Sequence, residues 1–267
     1  MLYMLPDATG NARKISLRQL EGRDEVLVLA HSRPGAPLVT DLLAQVIVAL
    51  DETTPAREQV ATLTLGERDI LLAHIRQENF GDQLQSTSTC PRCHEQLDID
   101  FSLEAFLIHY RPRLPRGVEP QENGWFRFAN HNVSFRLPTG TDMEEMEQQA
   151  GLTYEQRRRW LIARCVSPTH VSARLLARIE RAMWHLSPQL IQELGAQCAM
   201  CGANFSVTFN MESFVLRELR LAARTLYQDV HLLARWYHWR EAEILSLPRQ
   251  RRIRYVDELM SDLRGQI

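Results

Sequence analysis

A chain of 267 residues with 45% hydrophobic content is long enough for one large or two modest domains, and its core needs no disulfide staples. The formal charge of −2, from 31 basic and 33 acidic residues, supplies no global field that would attract nucleic acid. The most apolar run, LVTDLLAQVIVAL, is broken by Asp41 and Gln45 and is too short for a bilayer; no continuous apolar stretch follows the start, so we expect neither a membrane span nor a signal peptide.

The chain opens on an extended arm or edge strand. KISLRQLEGRDEVLVLA alternates at Ile15 and Leu17 and turns helical around Asp24. SRPGAP is a turn, a helix is expected from about Val39 to Leu50, and DETTPAREQ reads as a polar connector. In the next helix Thr64 and Glu67 stand at capping-box spacing, Leu71, Leu72 and Ile75 form one apolar stripe, and Gly81 is the stop. That helix delivers the chain to Cys90-Pro-Arg-Cys93.

The same pattern returns at Cys198-Ala-Met-Cys201. CPRCHEQLDIDFSLEAF aligns without a gap against CAMCGANFSVTFNMESF, so Leu97, Ile99, Phe101 and Phe106 match Phe205, Val207, Phe209 and Phe214. Each copy reads as a knuckle, a strand of period two and a helix, entered through Ser102 or Asn210 with Glu104 or Glu212 in the first turn. The preceding segment reads as a helix followed by a short loop or helix, LLAHIRQENFGDQL in one copy and LLARIERAMWHLSPQL in the other.

Between the copies, YRPRLPRGVEPQENG is a linker, and WFRF and VSFRLP form a hairpin around a turn at Ala129–Asn132. Two helices follow; the second carries Arg157, Arg158 and Arg159 as a solvated face and Cys165 as a core filler. Beyond Phe214 the chain is helical almost throughout. The expected fold is α+β and predominantly helical. Its parts are an N-terminal helical region (1–62), a first knuckle repeat (63–111), an inserted hairpin with helices (112–166), a second knuckle repeat (167–224) and a C-terminal helical module (225–267).

A thiol pair on a tight turn is half of a tetrahedral four-cysteine site, and two halves close around one zinc. Cys90, Cys93, Cys198 and Cys201 are therefore the expected ligands of a structural Zn²⁺, against the alternative of ordinary core thiols or reducible disulfides. Five cysteines, four of them in C-x-x-C pairs, suit a reducing compartment, and we expect a cytoplasmic protein.

Several runs together resemble a known family. They are LRQLEGRDEVLVLA, LTLGERDILLAHIRQENFG, the CPRC knuckle with LDIDF, and the stretch Leu233 to Tyr255. Within the last, Tyr237-His238-Trp239, Glu243-Ile244-Leu245, Leu247-Pro248, Arg251, Arg252 and Tyr255 carry the likeness. The family is that of zinc-knuckle-bearing assembly proteins of the baseplate and hub of contractile phage tails and phage-tail-like contractile injection systems. The resemblance implies a non-catalytic assembly role, with protein components of a baseplate or tail hub as partners and incorporation into a particle. One departure is His94, which stands where the second knuckle has Gly202, and it raises the alternative that His94 replaces one thiolate.

Aromatic residues and arginines are enriched at interface hot spots, so Trp236, Tyr237, Trp239, Arg249, Arg251, Arg252 and Tyr255 are the expected partner-binding residues. The run RQRRIR with these aromatics also suits a zinc-ribbon-like nucleic-acid-binding protein, but the knuckles themselves hold only Arg92. An enzyme is not expected. His74, His94, His109, Glu67 and Asp69 are the available groups, yet no H-E-x-x-H, phosphate loop or G-x-S-x-G organises them.

Overall fold

The computed structural model describes residues 1–108, 110–129, 131–149, 151–188 and 190–265. The fold is α+β and mostly helical, with four small antiparallel sheets. Strands β1 (Leu2–Pro6), β2 (Ala12–Leu17) and β3 (Ile47–Leu50) form the first sheet in that order. The β1–β2 turn is closed by Asp7, whose carboxylate accepts from the amides of Thr9 and Asn11 at 2.8 Å each. Helices α1 (Gly22–Ala30) and α2 (Ala36–Val46) lie between β2 and β3.

The helix expected over Val39–Leu50 therefore starts earlier and stops at Val46. Ile47–Leu50 is a strand because tertiary pairing with β2 overrides the helical periodicity that continues through it. In the polar connector, α3 (Arg57–Ala61) is a short helix. Helix α4 (Leu65–Phe80) begins and ends as expected. The Thr64 amide donates to Glu67 Oε2 at 2.8 Å, the Glu67 amide donates to Thr64 Oγ1 at 3.3 Å, and Gly81 closes the helix at φ 85°.

Two long hairpins carry the knuckles. Strands β4 (Gln83–Thr89) and β5 (Gln96–Ser102) pair over seven positions, and the first knuckle is their turn. Helix α5 (Leu103–Leu107) follows, capped by Ser102, whose hydroxyl accepts from the Ala105 amide at 3.1 Å. The inserted segment forms β6 (Val118–Pro120), β7 (Trp125–Phe128), β8 (Ser134–Arg136), α6 (Gly140–Glu147), α7 (Tyr154–Cys165) and β9 (Val166–Ser167). Its sheet has four strands, β6-β7-β8-β9, rather than the two of the expected hairpin. The turn expected at Ala129–Asn132 includes Asn130, which lies outside the described residues.

Helix α8 (Ala173–Leu186) leads to the second hairpin, β10 (Ile191–Gln197) and β11 (Asn204–Asn210). Helix α9 (Met211–Ala222) is capped by Asn210, which accepts from the Ser213 amide at 2.8 Å. Helices α10 (Leu226–Tyr237), α11 (Glu241–Leu245) and α12 (Arg249–Gly265) complete the chain.

The structure corrects the segment before each knuckle, which is a strand and not a loop or helix. QLQSTST offers one apolar residue, Leu84, and IQELGAQ has no strict alternation, so period-two patterning is silent in both. Backbone pairing with the apolar β5 and β11 makes them strands.

Among the described residues there are two cores. The larger joins the first sheet, α2, α4 and α9 through residues such as Ile15, Leu42, Leu71 and Val215, and it reaches the hairpin bases through Leu84, Phe106, Phe209 and Phe214. The smaller lies between the inserted sheet and α8, with Phe126, Phe135, Val166, Ile179 and Leu186.

Candidate metal centre

The two knuckles are superposable in their hydrogen bonds. The Cys90 amide donates to the Glu95 carbonyl at 2.8 Å and the His94 amide to the Cys90 carbonyl at 3.0 Å. In the second copy the Cys198 amide donates to Ala203 and the Gly202 amide to Cys198, both at 2.9 Å. The fifth residue of each turn is left-handed, at φ 61° for His94 and 69° for Gly202. Glycine reaches that region without a Cβ penalty; a non-glycine residue pays about 1–2 kcal/mol.

The hairpins bring the four sulfurs together. Cys90 Sγ lies 3.7 Å from Cys201 Sγ and Cys93 Sγ 3.6 Å from Cys198 Sγ, with all four within 4.8 Å of one another. Four ligands about 2.3 Å from a tetrahedral metal stand about 3.8 Å apart. Disulfide sulfurs would be about 2.05 Å apart. The arrangement therefore fits a metal ion and not a bridge, and it is built from one thiol of each knuckle facing one of the other. Cys90 and Cys198 are buried, Cys201 is half-buried and Cys93 is exposed, so the site sits at the hairpin tips. Backbone amides of Cys93 and Arg92 favour the Cys90 thiolate and bring its pKa down to about 6.

His94 is not among the grouped ligand atoms; it occupies the strained turn position instead. Replacing it tests that assignment. His94→Gly should raise stability by about 1 kcal/mol, the lost left-handed strain less the extra freedom of glycine in the unfolded chain. Bound metal per chain should be unchanged. Loss of metal in this variant would make His94 a ligand.

The aromatic rings behind the tips tie the two units to each other. Phe101 and Phe209 meet edge to face at 5.0 Å, and Phe209 contacts Phe106 at 5.4 Å and Phe214 at 5.5 Å. The strands Leu97–Phe101 and Phe205–Phe209 thus meet through Phe101 and Phe209.

The seven expected interaction residues divide. Tyr237 stacks on Trp239 at 5.2 Å, Tyr255 meets Trp239 edge to face at 5.0 Å, and Arg251 lies 5.7 Å over Tyr255. Trp236 and Tyr237 are exposed beside them. Arg252, by contrast, is 1% exposed and reaches Glu25 at 2.5 Å and Asp229 at 3.2 Å, while Arg249 pairs with Glu25 at 2.9 Å. These two arginines join α12 to α1 and α10 and are not a solvated basic face. Of the run's four arginines only Arg251 and Arg254 are exposed, which removes much of the phosphate-binding surface that a nucleic-acid reading needs. Nothing in the pattern reveals this network, because Glu25 reads as an ordinary first-turn helix acid.

Three of the groups available for catalysis have structural partners. Glu67 caps α4, and His74 stacks on Tyr3 at 4.1 Å, where burial lowers its pKa. Buried Asp69 accepts from the Leu190 amide at 2.9 Å, and desolvation pushes its carboxyl up to about 7. Cys165 is buried and its thiol is pushed up to about 11 by burial, the environment of an inert thiol. His109 lies outside the described residues.

The family described as T4 bacteriophage base plate protein matches residues 4–174. The chain belongs to that family. The comparisons with curated proteins and with solved structures returned no match. The base plate match spans the first sheet, the first knuckle and the inserted segment, so it contains Cys90 and Cys93 and stops before Cys198 and Cys201. Tyr237 to Tyr255, which carried part of the resemblance, also lies beyond it. Base plate membership makes this a structural protein with protein partners in a tail assembly. Among the described residues, no helix is long and apolar enough to cross a membrane.

Proposed function

We propose that this chain is a non-catalytic structural or assembly component of the baseplate of a contractile tail-like particle, made in the cytoplasm and stabilised by one Zn²⁺. The observation that carries the reading is the base plate family match together with the four facing sulfurs. Cys90, Cys93, Cys198 and Cys201 would hold the ion, and four thiolates leave no coordination position for water or substrate. Bound there, zinc supplies charge neutralisation and a cross-link between the repeat units 63–111 and 167–224.

In the same reading the C-terminal module, 225–267, presents a partner-binding surface of Trp236, Tyr237, Trp239, Arg251 and Tyr255. Support comes from the exposure of Trp236 and Tyr237 around a stacked aromatic cluster. Removing the whole end of the chain is a poor test, because α12 supplies the partners of Glu25. The double variant Trp236→Ala, Tyr237→Ala is the better one. It should reduce incorporation into particles at least tenfold while zinc content and thermal midpoint stay near the parent's. Normal incorporation would remove the binding role, and an unfolded variant would make the two rings part of the fold.

A further inference from the structure

A groove lies along α9, on elements separate from the aromatic end of the chain. Three clefts meet at Arg217, which lines all of them. One, of about 420 Å³, runs from Pro34 and Gly35 past Leu216 and Leu221 to Arg220 and Arg224. The next, of about 340 Å³, opens between the two knuckle hairpins and is floored by Ile99, Phe101, Leu194, Val207 and Phe214. Arg217, Arg220 and Arg224 recur at helical spacing, and none forms an ion pair with a carboxylate among the described residues. Arg220 donates instead to the His31 carbonyl, and Arg217 lies 5.5 Å over the Phe214 ring. Leu221 lines the same cleft and is 51% exposed, an unusual setting for a large apolar side chain on an arginine-lined face. Glu212, the carboxylate in this wall, faces Arg68, and burial raises its pKa.

The third cleft fixes the polarity of what binds. Asp98 and Asp100 alternate with Ile99 and Phe101 along β5, so they line the opposite face of that hairpin. They share that cleft with Arg217, Glu218 and Leu221, so the hairpin end of the groove is acidic and a ligand carboxylate is favoured toward Arg220 and Arg224. We propose that the α9 groove receives an acidic segment of a partner protein, with an apolar side chain seated between the hairpins and carboxylates against Arg217, Arg220 and Arg224. From Ser213 to Arg224 is about 16 Å at helical rise, a span covered by roughly five extended residues. A short linear segment is long enough. Arginine forks match carboxylates bidentately, and an apolar floor beside them excludes water from the pairs.

The test uses the full-length chain in cells that build the particle, carrying Leu221→p-benzoylphenylalanine as a photo-crosslinker. Illumination should join it to one baseplate protein at a stretch where Asp or Glu adjoins an apolar residue. Arg217→Glu with Arg224→Glu should cut the crosslink at least tenfold, leave zinc content and thermal midpoint in place, and be rescued by Lys at the partner's acids. Crosslinking only to a second copy, to nucleic acid or to nothing would overturn the proposal, as would a yield indifferent to the arginines. The baseplate reading fails separately, if the unmodified chain is absent from purified particles.

Discussion

Cys198→Ser should release the metal and lower stability by several kcal/mol, with a similar fall in midpoint for the matching replacement at Cys90. The facing sulfurs stand 105 and 111 residues apart in sequence, so the site closes a loop of about a hundred residues. A covalent cross-link of that length constrains the unfolded chain by about 4–5 kcal/mol, and metal coordination adds binding free energy of its own. The fall in thermal midpoint should therefore be roughly 10 °C or more for a chain of this size. Neither two-stranded sheet is long-lived without its neighbour, because an isolated hairpin is marginal in water. We expect hydrogen exchange to rise first in β4, β5, β10 and β11, while the first sheet with α2 stays protected. The same pattern should follow chelation of the parent protein. A Cys198 variant with parental midpoint and exchange would show that the four thiols are ordinary core residues.

Arg252→Ala is the second large effect. The guanidinium is buried between Glu25, itself 1% exposed, and Asp229 at 8%. Removing it takes a partner from each of two buried carboxylates, and breaking a buried pair from one side costs about 3–5 kcal/mol. Arg249 stays near Glu25 but leaves Asp229 without a partner. Burial already raises the pKa of both acids above their ordinary values, and the two arginines oppose that shift. Without Arg252 the folded-state values rise further. An acid whose folded pKa exceeds its unfolded one destabilises the fold once pH rises above the unfolded value, and has no such effect below it. The gap between variant and parent should thus be widest at neutral pH and narrow as pH falls toward 4. Adding Glu25→Gln should recover part of the loss at neutral pH. Denaturant unfolding at several pH values checks this, and a gap of equal size at every pH would mean that lost packing, not stranded charge, is responsible.

These two predictions differ in how far the sequence alone supports them. The four-cysteine cluster was legible because two C-x-x-C pairs recur with the same downstream pattern, and coordination chemistry constrains such pairs tightly. Ser102, Asn210, Thr64 and Gly81 were legible for the same reason: each does one local job with one local partner. Strands β4 and β10 were hidden, since their identity comes from cross-strand pairing and their side chains are mostly polar. The end of α2 at Val46 was hidden too, because Ile47–Leu50 suits either helix or strand until β2 is beside it. The arginines of RQRRIR were misleading as a group. Burial separates Arg249 and Arg252 from Arg251 and Arg254, and it depends on where α1 packs.

X-ray absorption at the zinc edge, on protein purified without chelator or added metal, reports both the metal and its ligand shell. One zinc per chain is expected, surrounded by four sulfurs at about 2.3 Å. Protein without zinc, or a shell containing nitrogen in place of a sulfur, would contradict that expectation.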